Sequence, residues 1–461
     1  MVSSIDGLVS GLSTSSMISQ LMQVEAAPQD KLRAKAETAQ KAQNAYQSVN
    51  TKLKAVKTAA DAMQSLATWR SLKAESTSTS VTAAATGGMA GMTGSITFDV
   101  DQVARAQVSV VKNVDTTATT YPRSFTITTG SWSDSDADGT NDLFTAGGAP
   151  TTITIPADQD PTAANIAAAV NAAGLNVRAT VVNTDGTNGV LQFSGTKTGA
   201  GNGFQVDLSA AGLTSEDTPS QSALLKVNPG TAAEYSVSSD TNTFNGLMPG
   251  VAITATKQET GVTVTATADA AAVTAKMQAM VDAMNAALTE VKTQTAYNLG
   301  TKKGSPLTGD STVREMSQAI LGTVSRGLSY ERTLPDQSTE TVDFGSLSQF
   351  GVGLNRDGQL TFDAAKFTAE YNKDPQKIQQ VGSAFAAQVE GLADKQSTVI
   401  TNAVTGRKNE IDSLNDQISS WDVRLVNKRE ALQRQYSGLE VALGKLQNQS
   451  SWLSGQLSGL M

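Results

Sequence analysis

The chain has 461 residues, no cysteine and no histidine, with 39% hydrophobic and 5% aromatic residues. That composition supports several modest cores rather than one large one. It excludes a Ser-His-Asp triad, an imidazole base, a thiolate nucleophile, a disulfide and a thiolate zinc site. The net charge of −8 is uneven: residues 101–269 hold 7 Lys+Arg against 16 Asp+Glu, a net of −9, which leaves +1 for the rest. A general nucleic-acid partner is therefore not expected, and no stretch is long and apolar enough to expect a membrane partner.

The first segment, 1–11, shows no basic leader, sustained apolar core or small-residue cleavage site, so export, if it occurs, is expected to avoid the ordinary secretory route. Ser13, Thr14 and Ser15 offer helix N-caps, and Met17, Ile18, Leu21 and Met22 share one helical face. Pro28 suits the first turn of a new helix. From there Leu32, Ala39, Tyr46, Leu53 and Ala60 recur every seven residues. Ala42, Val49, Val56 and Met63 form a second line, and the two together predict a coiled-coil seam.

Between 75 and 269 the pattern changes to Ser, Thr, Gly and Val in alternation. Strands are predicted at 95–100, 107–111, 124–129, 151–155, 177–182, 190–193, 251–255 and 261–266. Turns are predicted at Asp185-Gly186 and Asn188-Gly189. A helix at 161–173 interrupts them, with Ile166 and Val170 on its apolar face. Asp134, Asp136, Asp138 and Gly139, with Asp142 at the ninth position, have the spacing of a calcium loop. Thr145 stands where such a loop needs a bidentate glutamate. Calcium binding is expected to be weak or absent, and an acidic hairpin tip explains the run equally well. No metal or cofactor is assigned.

A helix follows at 270–294, striped by Val273, Met277, Met280, Met284, Leu288 and Val291, a pattern expected of core. Ser305 to Asp310 is expected to cap a helix that begins near Ser311. Tyr371 to Pro375 reads as a helix end and turn. A turn at Gly406-Arg407-Lys408 is expected to precede the last helix. There Ile411, Ile418, Leu425, Leu432, Leu439, Leu446, Leu453 and Leu460 lie seven apart. Leu414 and Trp421 flank that line on one side, and Tyr436, Leu443 and Leu457 on the other.

The order of these pieces predicts an α+β fold. Both termini pair as a helical coiled-coil stalk, and β-rich domains are inserted in the middle. Expected divisions are terminal coiled-coil segments at 1–43 and 407–461 and a helical leg at 44–75 and 270–406. A β-rich head at 76–119 and 207–269 carries an inserted outer β/α head at 120–206. Residues expected to form an assembly interface are Leu21, Leu53, Val56, Ile411, Leu414, Ile418, Trp421, Leu425, Leu439, Leu443, Leu446 and Leu453.

Several motifs, in order, resemble the flagellar filament cap family, also called flagellar hook-associated protein 2. They are Ile5-Asp6-Gly7-Leu8-Val9-Ser10-Gly11-Leu12 with Met17 to Met22, then Val103-Ala104-Arg105-Ala106-Gln107, then 161–179 and Phe244 to Val251. Leu307-Thr308-Gly309-Asp310, Phe350 to Leu354, Gly358 to Asp363 and the C-terminal heptads complete the set. The resemblance implies a non-enzymatic structural protein, secreted unfolded through the flagellar channel to the filament's distal tip. It implies a homo-oligomeric ring, a pentamer by expectation, that helps flagellin fold and insert and prevents its loss. Implied partners are flagellin, the hook–filament junction proteins and a flagellar export chaperone. A surface adhesin, another hook-associated junction protein and a carboxylate-based hydrolase are the competing readings.

Overall fold

The computed structural model describes residues 13–86, 93–136, 140–333 and 337–458. The motif at 5–12, and Asp138 and Gly139 of the acidic run, lie outside them.

The chain opens with α1, Thr14–Gln64, followed by a single turn α2, Leu66–Trp69. The middle then runs β1 Leu72–Ser76, β2 Val81–Ala85, β3 Gly94–Gln102, β4 Val108–Asp115, β5 Ser124–Ser133, β6 Leu143–Ala146 and β7 Thr151–Thr154. Helix α3, Ala163–Ala172, precedes β8 Val177–Asn183, β9 Asn188–Gly195, β10 Gly203–Asp207, β11 Glu216–Thr218 and β12 Ala223–Val227. The middle ends with β13 Tyr235–Ser239, β14 Thr243–Met248, β15 Val251–Ala255 and β16 Glu259–Ala268. Helix α4, Ala270–Thr295, leads through hairpin β17 Tyr297–Asn298 and β18 Lys303–Gly304 into α5, Ser311–Ser325. Hairpins β19 Leu328–Thr333 with β20 Thr339–Gly345, and β21 Val352–Leu354 with β22 Leu360–Phe362, precede α6, Ala364–Lys373, and α7, Pro375–Ser458. The fold is α+β, as the sequence predicts. Two compact units divide the chain, residues 1–65 with 273–461, and 66–272.

In the first unit, both α1 heptad lines are buried from Ala39 through Met63, and Val49, Leu53, Ala60 and Met63 are fully so. The Met stripe of α4 and Val313, Met316 and Ile320 of α5 are buried as well. An aromatic cluster fills the space under α6 and the start of α7: Phe350 lies 6.0 Å from Phe367 and 6.4 Å from Phe385, ring centre to ring centre. Asp310 caps α5, its carboxylate accepting from the N–H groups of Thr312 and Val313.

Two sequence expectations are corrected here. Pro28 does not start a helix but lies inside α1. A proline there removes one backbone bond and crowds the carbonyl four residues back, and the long helical pairing carries α1 through it. Gly406 does not mark a turn either, because α7 continues through it. One glycine inside a helix costs about 1 kcal/mol, which 84 residues of continuous helix absorb. The predicted break at 371–375 is present: α6 stops at Lys373 and α7 begins at Pro375, where the missing N–H has no helical partner to lose.

The second unit holds two cores. One lies between the antiparallel sheets β1-β16-β3-β12-β13 and β14-β15-β2, filled by Phe98, Leu225, Phe244, Ile253, Val262 and Val264. The other lies among β10-β5-β6, with β7 also on β5, the sheet β11-β4-β9-β8 and helix α3. Its filling includes Val111, Val114, Ile127, Ile166, Leu191, Phe193, Phe204 and Leu208. The outer core thus reaches beyond 120–206, and the chain crosses between cores at 103–107 and 219–222. These two crossings pair through mutual backbone bonds of Arg105 and Gln221. The turn between β8 and β9 centres on Asp185-Gly186, with Gly186 at φ 92. Asn188-Gly189, predicted as a turn, instead begins β9.

Candidate assembly surface

Helices α1 and α7 run antiparallel, and the quality of their pairing changes along its length. Toward the end of α1, Lys57 bonds Glu390, which raises the lysine's pKa. Asn50 Oδ1 accepts from Ser397 Oγ at 2.6 Å. Here Ile378, Val381, Phe385, Val389, Ala393 and Ile400 of α7 are buried. Tyr46 donates its hydroxyl proton to Asp310, linking the pair to the cap of α5. Burial first, and the Asp310 carboxylate second, push the Tyr46 hydroxyl up to about 12. Arg407, raised by its bond to Glu410, faces the same phenol.

Further out the contacts turn polar. Gln29, almost fully buried, donates to the carbonyl of Ile418 at 3.2 Å and to Asp422 Oδ1 at 2.6 Å. Arg33 lies 3.6 Å from Asp422, and Lys428 lies 3.3 Å from Glu25. Where α1 begins, an open cleft of about 690 Å³ separates Thr14 to Ser19 from Arg429 to Glu440.

The sequence-predicted assembly residues fall into three groups along this gradient. Leu53 and Val56 are 0% and 2% exposed inside the unit's own core, so their side chains have no free surface for a neighbour. Leu414 is buried, and Ile411, Ile418, Trp421, Leu425 and Leu443 are half-buried. Leu21, Leu439, Leu446 and Leu453 are exposed, the last three by 52%, 60% and 56%. Sequence reasoning missed exposed Val24, Val423, Val426, Val441 and Trp452, which lie off the seven-residue lines. A signal was present: these apolar residues break the polar faces of otherwise amphipathic helices.

In the acidic run, Asp142 accepts from the Ser135 N–H and hydroxyl, which lowers its carboxyl pKa. Asp134 Oδ1 accepts from the Asp136 N–H. Among the described residues no three carboxylates are grouped to hold a metal ion. No described helix is long and apolar enough to cross a membrane.

Both ends of the chain form one helical unit, and a β-rich unit lies between them in sequence. Residues 10–107 match the family described as flagellar hook-associated protein 2 N-terminus, and residues 220–448 match its C-terminus. The chain belongs to the flagellar hook-associated protein 2 family, the cap proteins of the bacterial flagellum. A relative from Halalkalibacterium halodurans, flagellar hook-associated protein 2, is 24% identical over 82% of this chain and 78% of its own. The lateral flagellar hook-associated protein 2 of Vibrio parahaemolyticus is 25% identical over 64% of this chain and 67% of its own. A Campylobacter jejuni flagellar hook-associated protein 2 is 30% identical over 130 residues, 27% of this chain and 20% of that protein. The crystal structure of the Escherichia coli flagellar cap protein FliD, domains D1-D2-D3, shares the fold at a TM-score of 0.56 and 20% identity. That match covers 79% of this chain and 99% of that one.

Proposed function

We propose that the chain caps the distal tip of the flagellar filament as a homo-oligomeric ring, most simply a pentamer. There it promotes folding and insertion of flagellin and prevents loss of flagellin monomers. The observation that carries this reading is the continuation of the leucine line past the buried pair. Leu439, Leu446 and Leu453 continue the seven-residue line of Ile411, Ile418 and Leu425, which are half-buried, yet they are exposed, together with Trp452. A seam of this kind gains its stability from helices of other subunits. Flagellin, the hook–filament junction proteins and an export chaperone are the partners this role requires.

Replacing Leu446 with Asp tests it. The exposed site tolerates a carboxylate in the single chain, but burying that charge between subunits costs several kcal/mol. Sedimentation of the parent chain at micromolar concentration should show a ring-sized species that the variant lacks. Cells with Leu446→Asp as their only copy should export the protein, release flagellin into the medium and carry few filaments. Normal filaments together with an unchanged ring would overturn the proposal.

A further inference from the structure

Side-chain amides in this chain repeatedly take the place of a missing strand. A carboxamide carries one N–H donor and one C=O acceptor in a plane, like a peptide group. Gln107 Nε2 donates to the carbonyl of Phe204 at 2.6 Å, and Gln107 Oε1 accepts from the Phe204 N–H at 2.8 Å. Asn171 does the same to Ala179, donating to its carbonyl at 2.9 Å and accepting from its N–H at 3.0 Å. Asn285 pairs in this way with Leu360, at 2.8 Å and 2.9 Å. Phe204, Ala179 and Leu360 lie on β10, β8 and β22, each an edge strand of its sheet.

The β8 edge is the informative one. The ladder sets Val177 opposite Gly195 and Asn183 opposite Gly189, and Asn176 and Thr184 bond across to Thr196 and Asn188. Even-numbered residues therefore bond to β9, and Ala179 and Val181 turn their N–H and C=O groups outward. Asn171, on α3, engages the first of these. The strand itself, Val-Arg-Ala-Thr-Val-Val-Asn, is rich in β-branched residues and holds no acidic residue, and Val182 is 50% exposed. An edge of that character is a template for strand addition. Antiparallel pairing with itself places Val181 opposite Val181, with no like charges directly opposed.

We propose that Asn171 is an edge plug, which holds the outer edge of β8 shut against antiparallel pairing with the β8 edge of a second copy. The plug acts before any ring forms, and its loss leaves the α1–α7 seam untouched.

The chain of 461 residues allows a clean test, because it has no cysteine of its own. Thr180→Cys, at an exposed position on β8, provides a single thiol for a short bis-maleimide cross-linker. Asn171→Ala then removes the plug. Alanine is the better helix former, so α3 itself is not weakened. Two results are expected in the Asn171→Ala background. Hydrogen exchange at the Ala179 amide accelerates roughly tenfold or more, as two hydrogen bonds are lost. Cross-linked dimer rises by a similar factor, and adding Val182→Lys, a charge on the edge strand, returns it to the parent level. Exchange that accelerates without added cross-linking would overturn the plug. So would cross-linking already high in the parent, or unaffected by Val182→Lys.

Discussion

The inner and outer stretches of the α1–α7 pair use the same seven-residue grammar with different outcomes. The inner stretch, 39–63 against 378–400, is packed by three further helices and an aromatic cluster, and its seam is fully buried. The outer stretch, 14–36 of α1 with 414–458 of α7, is held by Gln29, by ion pairs among exposed charges and by half-buried leucines, and the start of α1 lies across from 429–440. Surface ion pairs contribute roughly 0–1 kcal/mol each, so the outer pair opens more readily than the inner one. Identical periodicity thus encodes a core where other elements cover the helices and an exposed apolar surface where they do not.

Cutting the same leucine side chain back in each stretch gives the sharpest contrast. Leu53→Ala leaves a cavity in a closed core and should lower unfolding free energy by about 3 kcal/mol in urea titration. Equal losses for Leu53→Ala and Leu446→Ala would erase the distinction between the stretches.

Alkaline pH separates the two stretches next, because the inner one contains Tyr46, whose hydroxyl donates to Asp310 at the cap of α5. An unfolded tyrosine titrates near 10, while Tyr46 in the fold is held up to about 12. The unfolded state therefore loses its proton first. Stability present below pH 10 should fall by about 2–3 kcal/mol as pH rises from 10 to 12. Tyr46→Phe should flatten that part of the profile, measured by denaturant unfolding at each pH against the parent.

In the outer stretch, Gln29→Ala removes two hydrogen bonds and should loosen the pair locally by about 1 kcal/mol. Amide exchange should quicken near 418–422 while the inner stretch is unchanged. Limited proteolysis should cut the outer stretch first and leave a core from about Asn44 to Ala403, because isolated polar helices are marginal in water.

The smallest effect belongs to Leu446→Ala, which should change single-chain stability by under about 0.5 kcal/mol, read by the same urea titration. Its consequence should appear instead in the sedimentation of the assembled species.

Much of this was legible from the pattern of residues. Both α1 lines, the Met stripe of α4, the Asp310 cap and the break at Pro375 follow from local rules of period, capping and backbone geometry. Strands with β-branched alternation, such as β3, β5, β8, β15 and β16, were legible for the same reason. Short strands such as β1, β13 and β14 carry Gly, Ser or Asn at positions where propensity is weak, and only pairing across the sheet makes them strands. The exposed apolar line was half legible: periodicity located the leucines, but burial along it depends on which elements lie over the helix.

The sequence by itself determined the order of helical ends and β middle, the seam and its period, and the absence of thiol and imidazole chemistry. These are properties of composition and of residues a few positions apart. Tertiary structure alone decided that α1 runs through Pro28 and α7 through Gly406, because long-range packing outweighs a local backbone penalty. It also decided that Leu53 is core while Leu446 is surface, and that Asn171, Asn285 and Gln107 stand in for strands. Their partners lie 8, 75 and 97 residues away, and no local period records which backbone a carboxamide meets.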